Sequence, residues 1–422
     1  MDMKLRTVMM TAALWAMAAP GSLSVEAGLA GWQVGTPIVT YWNGPALTDA
    51  TARQMKAGGF NLVWCDEKGL GVAHRHRLRV QLTDGLLAPA SLDNPEKRQA
   101  LDALITRVRR HPALFDYFIT DEPSAGQFAG LGRLIAYLRE RDPAHLAYIN
   151  LFPTYANNQQ LGTSGDTVPA YREYLRRFVA EVQPALLSWD HYQFAVGRDT
   201  PDYFLNLAMI RQAAQQAGVP FLNIVQACTW TRVRRVPNPD ELRYLVYTTL
   251  AYGAQGISYF VYQSGGELRG GFADPSGQPT PLYFAVKPLN RDFVAIATQL
   301  QRFRSLGVYH AGMLPPGAVP LPADCPFQFD PPVAPAEFKG SEPARGLLLG
   351  CFGRAARPGR ESVPTHALVV NLDYRLPVTV GLRGPRRLQR FDAATRRWTS
   401  VGGRRAELDL PPGGGVLVRI RR

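Results

Sequence analysis

Eight short apolar runs recur between residues 37 and 262, each ended by polar residues and separated from the next by an amphipathic stretch. The runs are Pro37–Trp42, Phe60–Cys65, Leu78–Leu82, Phe115–Thr120, Leu146–Leu151, Leu186–Trp189, Phe221–Gln226 and Gly256–Tyr262. Between them the apolar residues recur at helical spacing, as in Asp49–Ala57, Pro95–Arg110, Phe128–Arg141, Val168–Glu181, Pro201–Ala217 and Pro239–Tyr252. Strands that alternate with helices pair in parallel through right-handed crossovers, and eight of them predict closure into a (β/α)8 barrel. A doubly wound open sheet would carry a glycine-rich turn after its first strand. Tyr41-Trp42-Asn43-Gly44-Pro45 is not one.

Beyond about residue 308 the pattern changes to short alternating runs broken by Pro and Gly, among them Ala367–Leu372, Val378–Leu382, Leu388–Phe391, Trp398–Val401, Ala406–Leu410 and Val416–Ile420. Such spacing predicts a small all-β sandwich. The expected organisation is an α/β barrel over 28–307 and a sandwich over 308–422, joined through a proline-rich stretch at 315–339. Residues 1–27 read as a secretory signal peptide: Lys4 and Arg6 precede the apolar stretch Val8–Ala19, and small residues follow up to Ala27. The expectation is a secreted or periplasmic protein, because no later segment approaches the ~18 uninterrupted apolar residues of a spanning helix.

Cys65, Cys228, Cys325 and Cys351 are too widely spaced for a metal knuckle. Cys325 and Cys351 are left either as a bridge in an oxidising compartment or as buried thiols. His74-Arg75-His76 lacks a third ligand at suitable spacing, so neither a metal nor another cofactor is expected. The formal charge is +13, yet only six of the 47 basic residues are lysines, and the runs Arg107–Arg110 and Arg232–Arg235 accompany no nucleic-acid motif. A solvated arginine-rich surface explains them, with long-range attraction to an acidic polysaccharide or anionic surface as the other reading. Nothing in the sequence fixes an oligomeric state.

Every strand of such a barrel delivers its C-terminal residues to one mouth, the face that carries function. The second strand brings Trp64, Asp66 and Glu67, the fourth Asp121 and Glu122, the fifth Asn150 through Tyr155, and the sixth Trp189, Asp190, His191 and Tyr192. The seventh ends at Gln226 with Trp230 beyond it, and the eighth leads to Tyr262 and Glu267. Carboxylates with aromatic rings are what cleavage of a sugar acetal requires: an acid of raised pKa for the departing oxygen, a second carboxylate for the oxocarbenium-like centre, and flat faces for sugar C–H surfaces. Pro123 ends the fourth strand and is expected to hold Glu122 extended at its tip.

The run from His111-Pro112-Ala113 through Asp121-Glu122-Pro123 resembles the fourth-strand signature of clan A glycoside hydrolases, including the family 42 type barrels. The resemblance implies that Glu122 is the general acid/base, with Asp121 in the usual Asn place, and that the substrate is a carbohydrate. The C-terminal runs Val369-Val370-Asn371-Leu372 and Leu410 to Leu417 are similar to the sandwich appended to many such enzymes. In the clan the nucleophile is a glutamate ending strand seven, where this chain has Gln226. Asp190 is the substitute read from the sequence, with Glu67, Asp66 and Glu267 behind it. The alternative is a non-catalytic carbohydrate-binding barrel that lacks the nucleophile.

Overall fold

The computed structural model describes residues 35–355 and 361–421; the signal-peptide expectation lies outside them. Eight parallel strands form the first sheet: β1 (Ile38–Trp42), β2 (Leu62–Cys65), β3 (Arg79–Leu82), β4 (Leu114–Asp121), β5 (Leu146–Leu151), β6 (Leu187–His191), β7 (Phe221–Gln226) and β8 (Gly256–Phe260). Neighbours follow chain order from β2 through β8, and β8 pairs with β1 from Ile38↔Gly256 to Trp42↔Phe260. The β1/β2 seam is joined by the Asn61 backbone, whose N–H donates to Val39 O at 3.0 Å, and by the Asn61 side chain, which accepts from Val39 N at 3.0 Å. The sheet is therefore a nearly closed barrel, as the strand-helix alternation predicts.

Successive residues of a strand point to opposite faces, and that alternation decides what reaches the barrel lumen. Ile38, Leu62, Leu146, Tyr148, Leu186, Leu222 and Ile224 fill the lumen, with Trp42, Phe118 and Phe260 above them. The opposite faces, including Val39, Val63, Val80, Ile149 and Val225, pack against the helices. The helices start where the sequence supplies caps: Thr48, Asn94 and Asn238 accept from first-turn N–H groups of Asp49–Ala57, Pro95–Val108 and Pro239–Tyr252. One helix not legible in the strand-helix pattern is Pro281–Leu300, which carries Pro288 inside it. None of the described helices is long and apolar enough to cross a membrane.

After the barrel, a six-stranded antiparallel sheet runs in the order Arg304–Gly312, Gly346–Gly353, His366–Asn371, Gly415–Ile420, Leu388–Asp392, Arg397–Ser400. A three-stranded sheet of Gln328–Phe329, Val378–Arg383 and Arg405–Leu410 faces it across a core that includes Phe327, Leu349, Val369, Leu382 and Leu408. The other face of the larger sheet lies on the barrel helices, and the approach is close at Gly350. A β-carbon there would stand 2.2 Å from Ala251 O, so only glycine fits.

Cys325 and Cys351 are buried in the sandwich with sulfurs 3.8 Å apart. Under oxidising conditions the thiols titratable after unfolding are expected to fall from four to two. Closing this loop should stabilise the fold by about 3 kcal/mol. Thermal unfolding with and without reductant checks it; equal midpoints and four free thiols would contradict it.

Candidate active site

The C-terminal ends of β4, β5 and β6 meet the loops after β6 and β7 around a cavity of about 490 Å³. Its acidic wall is Asp121, Glu122 and Asp190, with Asn150 between them. Asn150 donates from Nδ2 to Asp121 Oδ1 at 3.0 Å and to Asp190 Oδ1 at 2.9 Å. Ser188 Oγ donates to Asn150 Oδ1 at 3.3 Å and lies 2.7 Å from Tyr148 OH, so the amide is oriented from below. An amide held this way presents both its hydrogens to carboxylates.

The Glu122 and Asp190 carboxyls lie close enough for each to act on the other's protonation. Two carboxyls so placed cannot both ionise readily, and they hold a proton between them. Burial raises the Glu122 pKa to about 7, helped by the negative charge of Asp121. Burial also pushes Asp190 well above the usual carboxylate range, with the charge of Glu122 as the next cause. Asp121 is raised by its surroundings too, though its side chain is open to the cavity and the Asn150 donor pulls it down.

Glu122 is not extended as expected from the following proline. Its φ is +45°, in the left-handed region that non-glycine residues seldom occupy. Two bonds impose the turn: Glu122 N–H donates to Asn150 O at 2.9 Å, and Tyr174 OH donates to Pro123 O at 2.8 Å. Strained backbone of this kind persists only where its surroundings over-determine it, and it collects at functional sites.

Aromatic rings line much of the rest of the cavity. Tyr192 lies 4.5 Å from Trp230 and 5.3 Å from Phe260 between centroids, with Trp42 and Tyr155 completing the rim. Trp42 and Phe260 also border an adjoining hollow of about 470 Å³ that Trp64 lines. Of the residues read from the sequence, the structure thus brings together Asp121, Glu122, Asn150, Tyr155, Asp190, Tyr192 and Trp230.

The others lie elsewhere. Asp66 caps a turn by accepting from Gly69 N at 3.2 Å, and Glu67 is paired with Arg107 at 2.8 Å. Trp189 and Tyr262 are buried on the helix side of the sheet, one beside Phe221 and the other among Tyr41, Phe60 and Phe272. His191 is buried between Asn206 and Thr200, and burial pushes its pKa down to about 3. Glu267 is exposed and lies outside the cavity lining. Trp42, Phe260 and Arg234 line the cavity without having been read as site residues. The signal for the first two was their position as the last inward residues of β1 and β8.

Gln226 does end the seventh strand, and it is wholly buried. Its Oε1 accepts from Phe194 N at 2.8 Å, while Nε2 donates to Phe194 O at 3.0 Å and Arg235 O at 2.6 Å. The amide pins two rim loops together. A carboxylate could not donate to either carbonyl, so Gln226→Glu is expected to destabilise the fold by about 1–3 kcal/mol. A denaturant titration showing no loss of stability would contradict this.

The sequence matches no protein-family model and no curated protein. Solved structures do resemble the fold. A catalytic mutant of Gan42B, a GH42 β-galactosidase from G. stearothermophilus, superposes with a TM-score of 0.55 over 92% of this chain and 98% of that one, at 11% identity. The fold is shared with a glycosidase. A β-galactosidase from the psychrophilic Marinomonas ef1 gives a TM-score of 0.45 at 12% identity, covering 66% of this chain. The match spans 62% of the length of the Marinomonas enzyme.

Proposed function

We propose that the protein is an exported glycoside hydrolase that cleaves an oligo- or polysaccharide with Glu122 as proton donor. The observation that carries this reading is the Glu122–Asp190 pair, which holds a proton near neutral pH at the edge of an aromatic-walled cavity. A general acid works best when its pKa lies near the working pH, and Glu122 at about 7 meets that condition. When Glu122 gives its proton to the glycosidic oxygen it is left as a carboxylate beside Asp190, which keeps its own proton, and Glu122 regains a proton from the water that attacks the sugar. Asp121, open to the cavity, supplies negative charge to the oxocarbenium-like centre. Asp190 acts through Glu122, and Asn150 fixes both flanking carboxylates. Trp42, Tyr192 and Trp230 offer sugar-binding faces, and the hollow beside Trp64 leaves room for a further residue of an oligosaccharide.

A second reading is a carbohydrate-binding barrel without turnover. Gln226 favours it: the residue at the strand-seven tip is a buried strut, and the three cavity carboxyls stand on one wall. Released reducing ends, measured over a panel of glycans, separate the two. Turnover that Glu122→Gln abolishes supports the hydrolase; saturable binding without turnover in the wild type supports the binding barrel.

A further inference from the structure

The cavity has electrical polarity. Besides its acidic wall it is lined by Arg234, on the loop after β7, in the basic run Arg232–Arg235 that the sequence alone leaves as solvated surface. Its neighbour Arg235 makes two 2.6 Å bonds to Glu241. Arg234 has no such partner among the described residues. Its Nη1 donates to Tyr192 O, its guanidinium lies 5.4 Å from the Tyr155 ring centroid, and its Nε and Nη2 bond to nothing described. The backbone is fixed as well: Thr231 Oγ1 accepts from Arg234 N at 3.3 Å, and Thr229 Oγ1 donates to Arg234 O at 2.6 Å. A half-buried guanidinium without a bonded counter-ion is costly unless something else supplies the charge, and Asp190 acts on it only at a distance. Arg198, exposed and close enough to repel Arg234, deepens the positive field on that rim.

We propose that the sugar bound here carries a carboxylate, as a uronic acid does, and that Arg234 receives it through its free Nε–Nη2 edge. This rests on the carbohydrate reading of the cavity and deepens it by naming the substrate class. The two N–H groups of that edge are parallel and match the two oxygens of a planar carboxylate. The acidic wall repels the same group, so an anionic sugar has one favourable orientation, with its carboxylate toward Arg234 and its glycosidic bond toward Glu122. The net charge of +13 draws a polyanionic glycan from a distance.

The test is calorimetric binding to the Glu122→Gln protein, which holds its ligand without turning it over. The ligands are an oligouronide, its carboxyl-reduced neutral counterpart and a sulfated neutral oligosaccharide, each also titrated with Arg234→Met and Arg234→Lys. The oligouronide is expected to bind at least about tenfold more tightly than its reduced counterpart. That preference should vanish in Arg234→Met, be partly kept in Arg234→Lys and weaken with salt. Equal binding of the reduced ligand, a preference that survives Arg234→Met, or no oligouronide binding would each overturn the proposal. Arg234-dependent binding of the sulfated ligand alone would overturn the carboxylate assignment. Failure of the hydrolase reading looks different, since it leaves Arg234-dependent binding intact while the wild type releases no reducing ends.

Discussion

Glu122→Gln is expected to lower kcat/KM for glycan cleavage by on the order of 10²–10⁴-fold while leaving ligand affinity nearly unchanged. The amide has the shape of the acid and can still donate a hydrogen bond toward Asp190, so the cavity keeps its form. What it cannot do is release a proton to a leaving group. In the wild type, activity requires the protonated form and should fall as pH rises through about 7. Stability follows the same group. The folded pKa of about 7 stands above the ordinary value of 4.5, so between those values the folded chain holds more protons than the unfolded one. Stability from this site is fully present below about 4.5 and lost as pH rises through about 7. Glu122→Gln should therefore flatten the dependence of Tm on pH over that window. A slope equal to that of the wild type would contradict the assignment.

Asp190→Asn should act on the same proton from the other side. The introduced amide can still accept from Asn150 through its carbonyl, while its N–H group faces Glu122 and favours the ionised carboxylate. The alkaline limb of the pH–rate profile should then move to lower pH, with activity at pH 7.5 reduced by on the order of tenfold or more. A lower rate with an unmoved limb would mean that Asp190 contributes only shape.

The barrel was legible because its signal is periodic. Each of the eight runs ends in a change of polarity, and the helices between them keep one apolar face. The sandwich was legible in part: Arg405–Leu410 alternates exposed and buried residues faithfully, whereas Gly346–Gly353 is buried almost throughout and shows no alternation to read. At the mouth, strand ends alone were too coarse a guide. Trp189 and Asp190 are neighbours, yet the pleat sends Asp190 into the cavity and Trp189 toward the helices. Phe260 and Tyr262 part for another reason, since Tyr262 lies beyond the end of β8 and packs among Tyr41, Phe60 and Phe272. The left-handed turn at Glu122 depends on Asn150 and Tyr174, which lie far along the chain, and no local rule could supply it. Arg234 was hidden for a related reason. Within one basic run, only the tertiary partner Glu241 distinguishes the neutralised Arg235 from the unpaired arginine before it.

The most direct test of the central claim, that Glu122 protonates the departing oxygen, is the leaving-group dependence of kcat/KM in wild type and Glu122→Gln. Alkyl glycosides need that proton, while aryl glycosides with strongly acidic phenols depart without it. The claim predicts a steep loss in Glu122→Gln on the alkyl substrates and near recovery on the activated aryl ones. Equal losses on both series, or equal rates in the two proteins, would contradict it.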